Sequence, residues 1–283
     1  MRMNTRNKKK RNILLIVIYV LCIIIAVFAL APFLWGLSTS LKNEAEVYSL
    51  APTLFPKKLT WYNYISVFHD RSMMHYFRNS LVVALSSTAV SMVVSLLAAY
   101  GFSRYRFPGK TSLLASVLFI RILPRVCLLI PFYMILARAK LINTIPGLVI
   151  VYLVVGMPLT IWLLKGYIDA IPIEVEESAF IDGCGPIRSL LYIVTPMVAP
   201  ALAAVAMFAF ITAWNEFMFP LLFAKDETSR TLSVGLAFYI DETGIKWGQM
   251  MAASILMSIP AIIVFSYAQK YIVSGLSEGA VKG

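Results

Sequence analysis

Three ionisable residues lie inside long apolar stretches of the chain, where a charged side chain is costly and usually functional. Arg121 and Arg125 are four residues apart, so they share one face of a helix. Glu216 is the acid of a later apolar stretch. We expect one arginine to pair with Glu216 and the other to face a polar pathway. The alternative is that both arginines extend to the nearer end of their helix and keep their charges in water.

A short stretch around Glu216 combines aromatic, amide and carboxylate side chains. Sugars bind through stacking of their apolar faces on aromatic rings and through hydrogen bonds from their hydroxyls to such polar groups. The stretch holds Phe210, Trp214, Asn215 and Glu216. We therefore predict substrate contact, above all for Trp214 and Asn215. Packing within the protein, or an aromatic belt at a membrane surface, would explain the same aromatic residues.

Other chemistries find no support in the residue pattern. A phosphate-binding loop ending at Gly109-Lys110-Thr111 would need glycine at position 104, which is Arg104. His69 and His75 are six residues apart and could hold a metal only with further ligands, which the pattern does not supply. No serine or cysteine is paired with a base. We expect no catalytic residues, no metal and no nucleotide site in this chain.

Composition makes the chain an integral membrane protein. Of its 283 residues, 60% are hydrophobic and 14% are charged, whereas a soluble domain carries about 25% charged residues. The net charge of +11 does not indicate nucleic-acid binding, because no basic face interleaved with aromatic residues follows the N-terminal tail. Instead, six basic residues precede the first apolar run and set its orientation: Arg2, Arg6, Lys8, Lys9, Lys10 and Arg11.

Hydropathy predicts an all-α membrane protein with six transmembrane helices. A helix needs about 20 apolar residues to cross the hydrocarbon core, and a bilayer admits only helices or closed barrels. No alternating strand pattern competes. The predicted spans are 13–36, 78–102, 112–137, 142–164, 197–223 and 248–272.

Prolines occur within several of these spans. Each removes a backbone donor and bends a helix unless neighbouring groups compensate. Such bends suit a bundle that encloses a cavity and changes shape. The prolines are Pro124, Pro131, Pro158 and Pro260.

The basic tail predicts the orientation of the chain. Residues 1–12 form a cytoplasmic tail by the positive-inside rule, and six spans then return the C-terminal tail, 274–283, to the cytoplasm. Residues 37–77 form an extracytoplasmic loop. The remaining segment, 78–273, is a core of five helices that includes a cytoplasmic loop at 165–196.

The 165–196 loop lies between spans four and five. Its residue pattern predicts a hairpin of two helices joined at a glycine. Pro172 is suited to the start of a helix, and Gly183 is suited to end it in the left-handed conformation. We expect a second helix to begin at Pro186 and to end at Pro196. The first turns carry three acids, Glu174, Glu176 and Glu177, which favour the positive end of the helix dipole. The hairpin is either a solvated amphipathic loop or a preformed docking element.

This hairpin resembles the EAA loop of the membrane subunits of binding-protein-dependent ABC importers. The matching positions are Glu177, Ala179, Asp182, Gly183, Ile193 and Pro196. Two positions depart from the family pattern: Ser178 stands where a second alanine is usual, and Thr195 where leucine is usual.

The resemblance extends along nearly the whole chain. It includes Asn79-Ser80-Leu81, Ala99-Tyr100-Gly101-Phe102-Ser103-Arg104, Ile130-Pro131-Phe132-Tyr133, Trp214-Asn215-Glu216-Phe217 and the tail that begins at Gly275. In order and spacing, the chain is similar to the smaller, six-span subunit of maltose-type sugar importers.

The resemblance implies a role and a set of partners. The chain would be the permease subunit of an ATP-driven carbohydrate importer in the cytoplasmic membrane of a bacterium or archaeon, and not an enzyme. It would work with a homologous second permease, an extracytoplasmic sugar-binding protein and two ATPase subunits that hold ATP and Mg, while this chain itself binds no cofactor. The ATPase-coupling residues would be Glu176, Glu177, Ser178, Ala179, Asp182, Gly183, Ile193 and Pro196.

Two alternatives remain open at this point. The chain could belong to an importer of another solute class, such as an oligopeptide or an anion that Arg121 and Arg125 would serve. It could also be a stand-alone secondary carrier, for which internal inverted repeats would be expected.

Overall fold

The computed structural model describes residues 5–241 and 244–280, and the side chains within residues 12–241 and 244–271. The predicted tails therefore lie partly outside the described residues, at positions 1–4 and 281–283. The first part of the chain holds α1 (Thr5–Ser40), α2 (Glu44–Val47), α3 (Tyr62–His69), α4 (Arg71–Arg104), α5 (Lys110–Phe119), α6 (Arg125–Arg138) and α7 (Ile145–Asp169).

The second part begins with the hairpin region and ends with a long helix. It holds α8 (Ile173–Ile181), α9 (Pro186–Ser189), a π-helical turn (Leu190–Val194), α10 (Thr195–Met197), α11 (Ala199–Trp214), α12 (Met218–Phe223), α13 (Leu232–Ala237) and α14 (Trp247–Ala280). Two short antiparallel strands, β1 (Ile240–Asp241) and β2 (Gly244–Ile245), pair in front of α14.

Four of the described helices are long and apolar enough to cross a membrane. They occupy Asn12–Ser40, Arg71–Arg104, Ile145–Asp169 and Trp247–Tyr271, and so coincide with the first, second, fourth and sixth predicted spans. The chain is thus a helical membrane protein, as its composition indicates.

The third predicted span, 112–137, is not one helix. The structure breaks it between α5 and α6, at residues 120–124. Pro124 explains the break, because the residue before a proline is forced out of the helical region, and Pro124 itself is extended (φ −56°, ψ 127°). Neither half alone is long enough to cross the hydrocarbon core.

The fifth predicted span, 197–223, is also interrupted. α11 ends at Trp214, and α12 begins at Met218. The Glu216 carboxylate accepts the backbone N–H of Met218 at 3.0 Å and so caps the new helix instead of letting the old one continue. Pro196 does not end the preceding helix as predicted: it lies inside α10, and the 83° bend follows at Val198.

The described chain divides into two units. One comprises residues 5–69 and 239–256, and the other residues 70–238 and 257–280. In the smaller unit, the Asn63 amide donates to the carbonyls of Ser40 and Lys42, at 2.9 Å each. These bonds hold α3 to the end of α1.

In the larger unit, α4 packs along α7, and α11 packs against both. At one end of this bundle, a hydrogen bond joins the end of α4 to the end of α7, because the Ser103 hydroxyl donates to the Asp169 carboxylate at 2.6 Å. At the opposite end, Asn143 accepts the backbone N–H of Lys225 at 2.7 Å, and Asn79 donates to the carbonyl of Arg230 at 2.9 Å. α4 and α7 therefore run in the same direction, and the hairpin lies at the end that carries Ser103.

Candidate coupling hairpin and polar cavity

The hairpin of α8 and α9 is closed by a glycine turn. Gly183 has φ +83°, which confirms the predicted left-handed stop. The Cys184 N–H donates to the Ala179 carbonyl at 3.0 Å, and the Gly183 N–H to the Phe180 carbonyl at 3.1 Å. These two bonds form a Schellman motif, so the turn between the two helices has a defined geometry.

The outer surface of the hairpin combines acids with large apolar side chains. Glu177, Ser178 and Asp182 are exposed, and Ile181 is 87% exposed. The exposed apolar residues of α8, α9 and the π-helical turn after them are Ile173, Val175, Phe180, Ile181, Ile187, Leu191 and Tyr192. Exposed apolar side chains gathered on one element, rimmed by polar groups, are typical of an interaction surface. The hairpin is therefore suited to contact another protein.

The inner side of the hairpin is attached to α4 through Glu176. This side chain is 1% exposed. Its Oε1 accepts Arg104 Nε at 2.5 Å, and its Oε2 accepts the hydroxyls of Tyr100 at 2.8 Å and Ser189 at 3.3 Å. Arg104 also donates to the Ile171 carbonyl at 3.0 Å. We call this group, Tyr100, Arg104, Glu176 and Ser189, the hairpin clamp.

Glu176 differs from the exposed residues among the predicted coupling positions. Its carboxylate is buried and hydrogen-bonded within this chain, so it holds the hairpin to α4. Arg104 and Tyr100 were missed as functional residues, although they lie four apart on one face of α4. Among the remaining predicted coupling residues, Ala179 is buried, Ile193 is half-buried, and Pro196 is exposed.

The two aromatic residues predicted to contact substrate, Phe210 and Trp214, are buried in the larger unit. Trp214 is 2% exposed, stacks on Phe210 and meets Phe77 edge-on, with ring centroids 5.8 Å apart in both pairs. Its indole N–H donates to the Met257 carbonyl at 3.0 Å. The indole thus has two aromatic neighbours, and its polar atom is hydrogen-bonded. Asn215 is exposed and follows the end of α11.

The two arginines at the α5–α6 break have different surroundings. Arg125 Nη1 lies 3.0 Å from Glu216 Oε2, so Arg125 is the arginine that pairs. Arg121 lines a cavity in the larger unit, together with Glu216 and residues of α4, α7 and α11. The expected pairing of one arginine with Glu216 is confirmed, and the role of the other in a transport pathway stays a prediction.

The two histidines do not form part of a metal site. His69 Nδ1 hydrogen bonds to the Ile65 carbonyl at 2.8 Å, and His75 Nδ1 to the Arg71 carbonyl at 2.7 Å. Among residues whose side chains are described, no three His, Cys, Asp or Glu residues group as metal ligands would.

A bundle of apolar helices with an exposed hairpin at one end and a cavity lined by hydroxyl and apolar side chains suits the membrane component of a transporter. Residues 91–278 match the family described as the binding-protein-dependent transport system inner membrane component. The chain belongs to this family, whose members are transport components of ABC systems and not enzymes.

Relatives in this family resemble the chain over almost its full length. The trehalose/maltose transport system permease protein MalG of Thermococcus litoralis is 37% identical, with 98% of this chain and 99% of the relative covered. The diacetylchitobiose uptake system permease protein DasC of Streptomyces coelicolor is 34% identical, with 89% and 91% covered. The sulfoquinovosyl glycerol transport system permease protein SmoH of Agrobacterium fabrum is 35% identical, with 92% and 91% covered.

A solved structure shows the same fold. A chain of a bacterial ABC transporter for the import of the acidic polysaccharide alginate superposes with a TM-score of 0.80 at 24% identity, with 96% of this chain and 100% of that chain covered.

Proposed function

We propose that this chain forms half of the translocation pathway of an ATP-driven carbohydrate importer and is coupled to the ATPase through its hairpin. The observation that carries the proposal is the hairpin clamp. The exposed surface of α8 and α9 is connected through buried Glu176 and Arg104 to α4, which runs the length of the bundle. A push on the hairpin therefore moves α4 with it, whereas a flexible loop would absorb the motion.

The substrate class rests on the relatives. The full-length relatives described above carry trehalose or maltose, diacetylchitobiose and sulfoquinovosyl glycerol in their names. All of these compounds are saccharides or glycosides. A carbohydrate is therefore the substrate class that best fits this chain, ahead of an oligopeptide or a simple anion.

The proposed assembly contains three kinds of protein partner. A homologous second permease completes the pathway within the lipid bilayer, two ATPase subunits carry ATP and Mg, and an extracytoplasmic protein delivers the sugar. This chain holds no cofactor. The alginate transporter that shares the fold was solved with a periplasmic protein that carries an alginate pentasaccharide, which supports the last partner.

We propose six membrane crossings with both termini in the cytoplasm. α5 with α6, and α11 with α12, each leads from the hairpin end of the larger unit toward the end that holds Asn143. Each pair then acts as one broken crossing. The loop at 105–109 and the hairpin share one end, in agreement with a cytoplasmic location for both.

The test begins with a gentle detergent pull-down of the tagged chain and mass spectrometry of its partners. We expect a second multi-span permease and an ATPase with a Walker motif. In proteoliposomes of the purified complex, Glu177→Lys should keep the complex assembled but abolish uptake driven by ATP, because it reverses an exposed charge of the hairpin. Glu227→Lys, at the opposite end, is the matched control.

Two results would overturn the proposal. Recovery of the chain alone, with ion-driven uptake after reconstitution, would identify a secondary carrier. Assembly with an ATPase but uptake of a peptide instead of a sugar would leave the importer in place and change its substrate class.

A further inference from the structure

A cavity in the larger unit lies between the middle of α4, the middle of α7 and the end of α11. Its volume is about 40 Å³, enough for about three water molecules. Its lining mixes hydroxyl groups with Arg121 and Glu216, beside apolar residues such as Phe208 and Phe219. The hydroxyl-bearing residues are Ser87, Thr88, Ser91, Tyr152, Thr160 and Thr212.

Half of these hydroxyls are satisfied by their own helices. Ser87 donates to the Ala84 carbonyl at 3.2 Å and Thr212 to the Phe208 carbonyl at 2.8 Å. Thr160 donates to the Gly156 carbonyl at 3.4 Å. Such back-bonding is the usual fate of hydroxyls in membrane helices, so these three residues need no ligand.

The other three hydroxyls have no such partner. Thr88 Oγ1, Ser91 Oγ and the Tyr152 hydroxyl are buried and form no hydrogen bond with any described residue. Ser91 is 5% and Tyr152 8% exposed. Buried polar groups are nearly always hydrogen-bonded, because an unmade bond is destabilising. Three unmade bonds around one cavity indicate that the cavity is built for a polar ligand.

Arg121 adds a charged donor to the same cavity. Glu216 is already paired with Arg125, and the side chain of Arg121, an exposed residue, forms no hydrogen bond or ion pair within the described residues. Its guanidinium offers several N–H groups and no acceptor, and its positive charge opposes a metal cation. The ligand must therefore accept from Arg121 and both donate to and accept from hydroxyls.

We propose that this cavity is a subsite on this chain that binds hydroxyl groups of the transported saccharide. Each sugar hydroxyl both donates and accepts, so it complements Thr88, Ser91 and Tyr152, while Arg121 donates to a sugar oxygen. The volume admits one edge of a sugar and not a whole ring. This inference rests on the proposed function, and it assigns substrate contact to hydroxyl residues in place of Trp214 and Phe210.

The experiment uses the complete importer, with its binding protein, in proteoliposomes. Uptake of radiolabelled maltose, trehalose and diacetylchitobiose is measured per ATP hydrolysed for the wild type and for Ser91→Ala, Tyr152→Phe and their combination. We expect each single change to lower uptake per ATP about fivefold and the combination more than tenfold, since each removes one hydrogen bond to the sugar. ATP hydrolysis stimulated by the binding protein should stay unchanged.

Ser95→Ala is the matched control. Ser95 lies one turn further along α4, and its hydroxyl is equally buried and without a partner, but it does not line the cavity. All three substitutions remove an unsatisfied hydroxyl, so none should lower the melting temperature of the complex. Only Ser91→Ala and Tyr152→Phe should affect uptake.

The outcomes separate the subsite from the function on which it rests. If the wild type takes up one of the sugars and the cavity variants match Ser95→Ala, the subsite is wrong and the importer stands. If the wild type takes up a peptide and none of the sugars, the proposed substrate class fails, and the subsite fails with it.

Discussion

Two arginine–glutamate pairs connect elements of the larger unit, and they differ in how completely each is enclosed. In the hairpin clamp, Arg104 is 13% and Glu176 1% exposed, and the atoms are 2.5 Å apart. In the pair at the helix breaks, Arg125 is 45% and Glu216 8% exposed, at 3.0 Å. The first pair is part of the packed interior. The second is open on the arginine side.

The number of additional bonds increases this contrast. Arg104 is held by Glu176, the Ile171 carbonyl and the Ser103 hydroxyl, whereas the hydrogen bond from Arg125 goes to Glu216. Glu216 keeps its bond to the α12 backbone even if Arg125 moves away. The contacts of the clamp are therefore suited to stay intact when the hairpin moves. The second pair is suited to rearrange when the bundle changes conformation.

Removal of the buried acid should have the largest effect. Glu176→Ala leaves Arg104 enclosed without its carboxylate, and such a loss costs about 3–5 kcal/mol. We expect the free energy of unfolding in mixed micelles to fall by that amount and the level of the chain in membranes to fall with it. Glu177→Ala removes the neighbouring exposed acid and should change the free energy of unfolding by less than about 0.5 kcal/mol.

A double replacement tests whether the clamp requires the charges or only a well-packed contact. Arg104→Leu with Glu176→Leu removes both charges, and apolar packing should restore much of the lost stability. The clamp would be disproved if Glu176→Ala and Glu177→Ala were equally stable.

Substitution of the glycine in the hairpin turn should have the second largest effect. Gly183→Ala forces a residue with a side chain into the left-handed region, at a cost of about 1–2 kcal/mol. Gly185 is the matched control, because its φ of −81° suits any residue and an added Cβ would meet no atom within 4 Å. We expect Gly183→Ala alone to lower uptake per ATP hydrolysed. Equal uptake by both alanine variants would contradict a role for the turn geometry.

The four long spans and the left-handed Gly183 could be predicted from the sequence because they depend on local patterns. The break at Glu216 could not, because it depends on a side chain that caps a helix within a uniformly apolar run. The packing of Trp214 could not be predicted either, since an aromatic residue in a span has the same pattern whether it packs or binds, and its contact with substrate stays a prediction. The hairpin clamp joins positions 104 and 176, which are far apart along the chain. No local sequence pattern predicts such a contact.

The open pair should show a weaker energetic coupling than the clamp. For Arg125→Gln, Glu216→Gln and their combination, a double-mutant cycle should give about 0.2–1 kcal/mol, because a half-exposed arginine is partly screened by water. The same cycle on Arg104→Gln and Glu176→Gln should give a larger value. Equal coupling in the two cycles would remove the distinction between a rigid and a mobile pair.

The smallest effect is expected at a fully exposed carboxylate at the opposite end of the bundle. Hydrogen bonds from Thr228 and Asn143 hold the pKa of Asp226 below its ordinary value. Asp226 therefore stabilises the fold above pH 4, roughly the pKa of an unfolded aspartate, and this contribution is lost as the pH falls through the lower folded value. The melting temperature of the wild type should fall slightly more between pH 5 and pH 3 than that of Asp226→Asn. Identical pH profiles would show that the carboxylate contributes nothing, and that at this end Asn143 joins the loops through its bonds to two backbone N–H groups and the Ser229 hydroxyl.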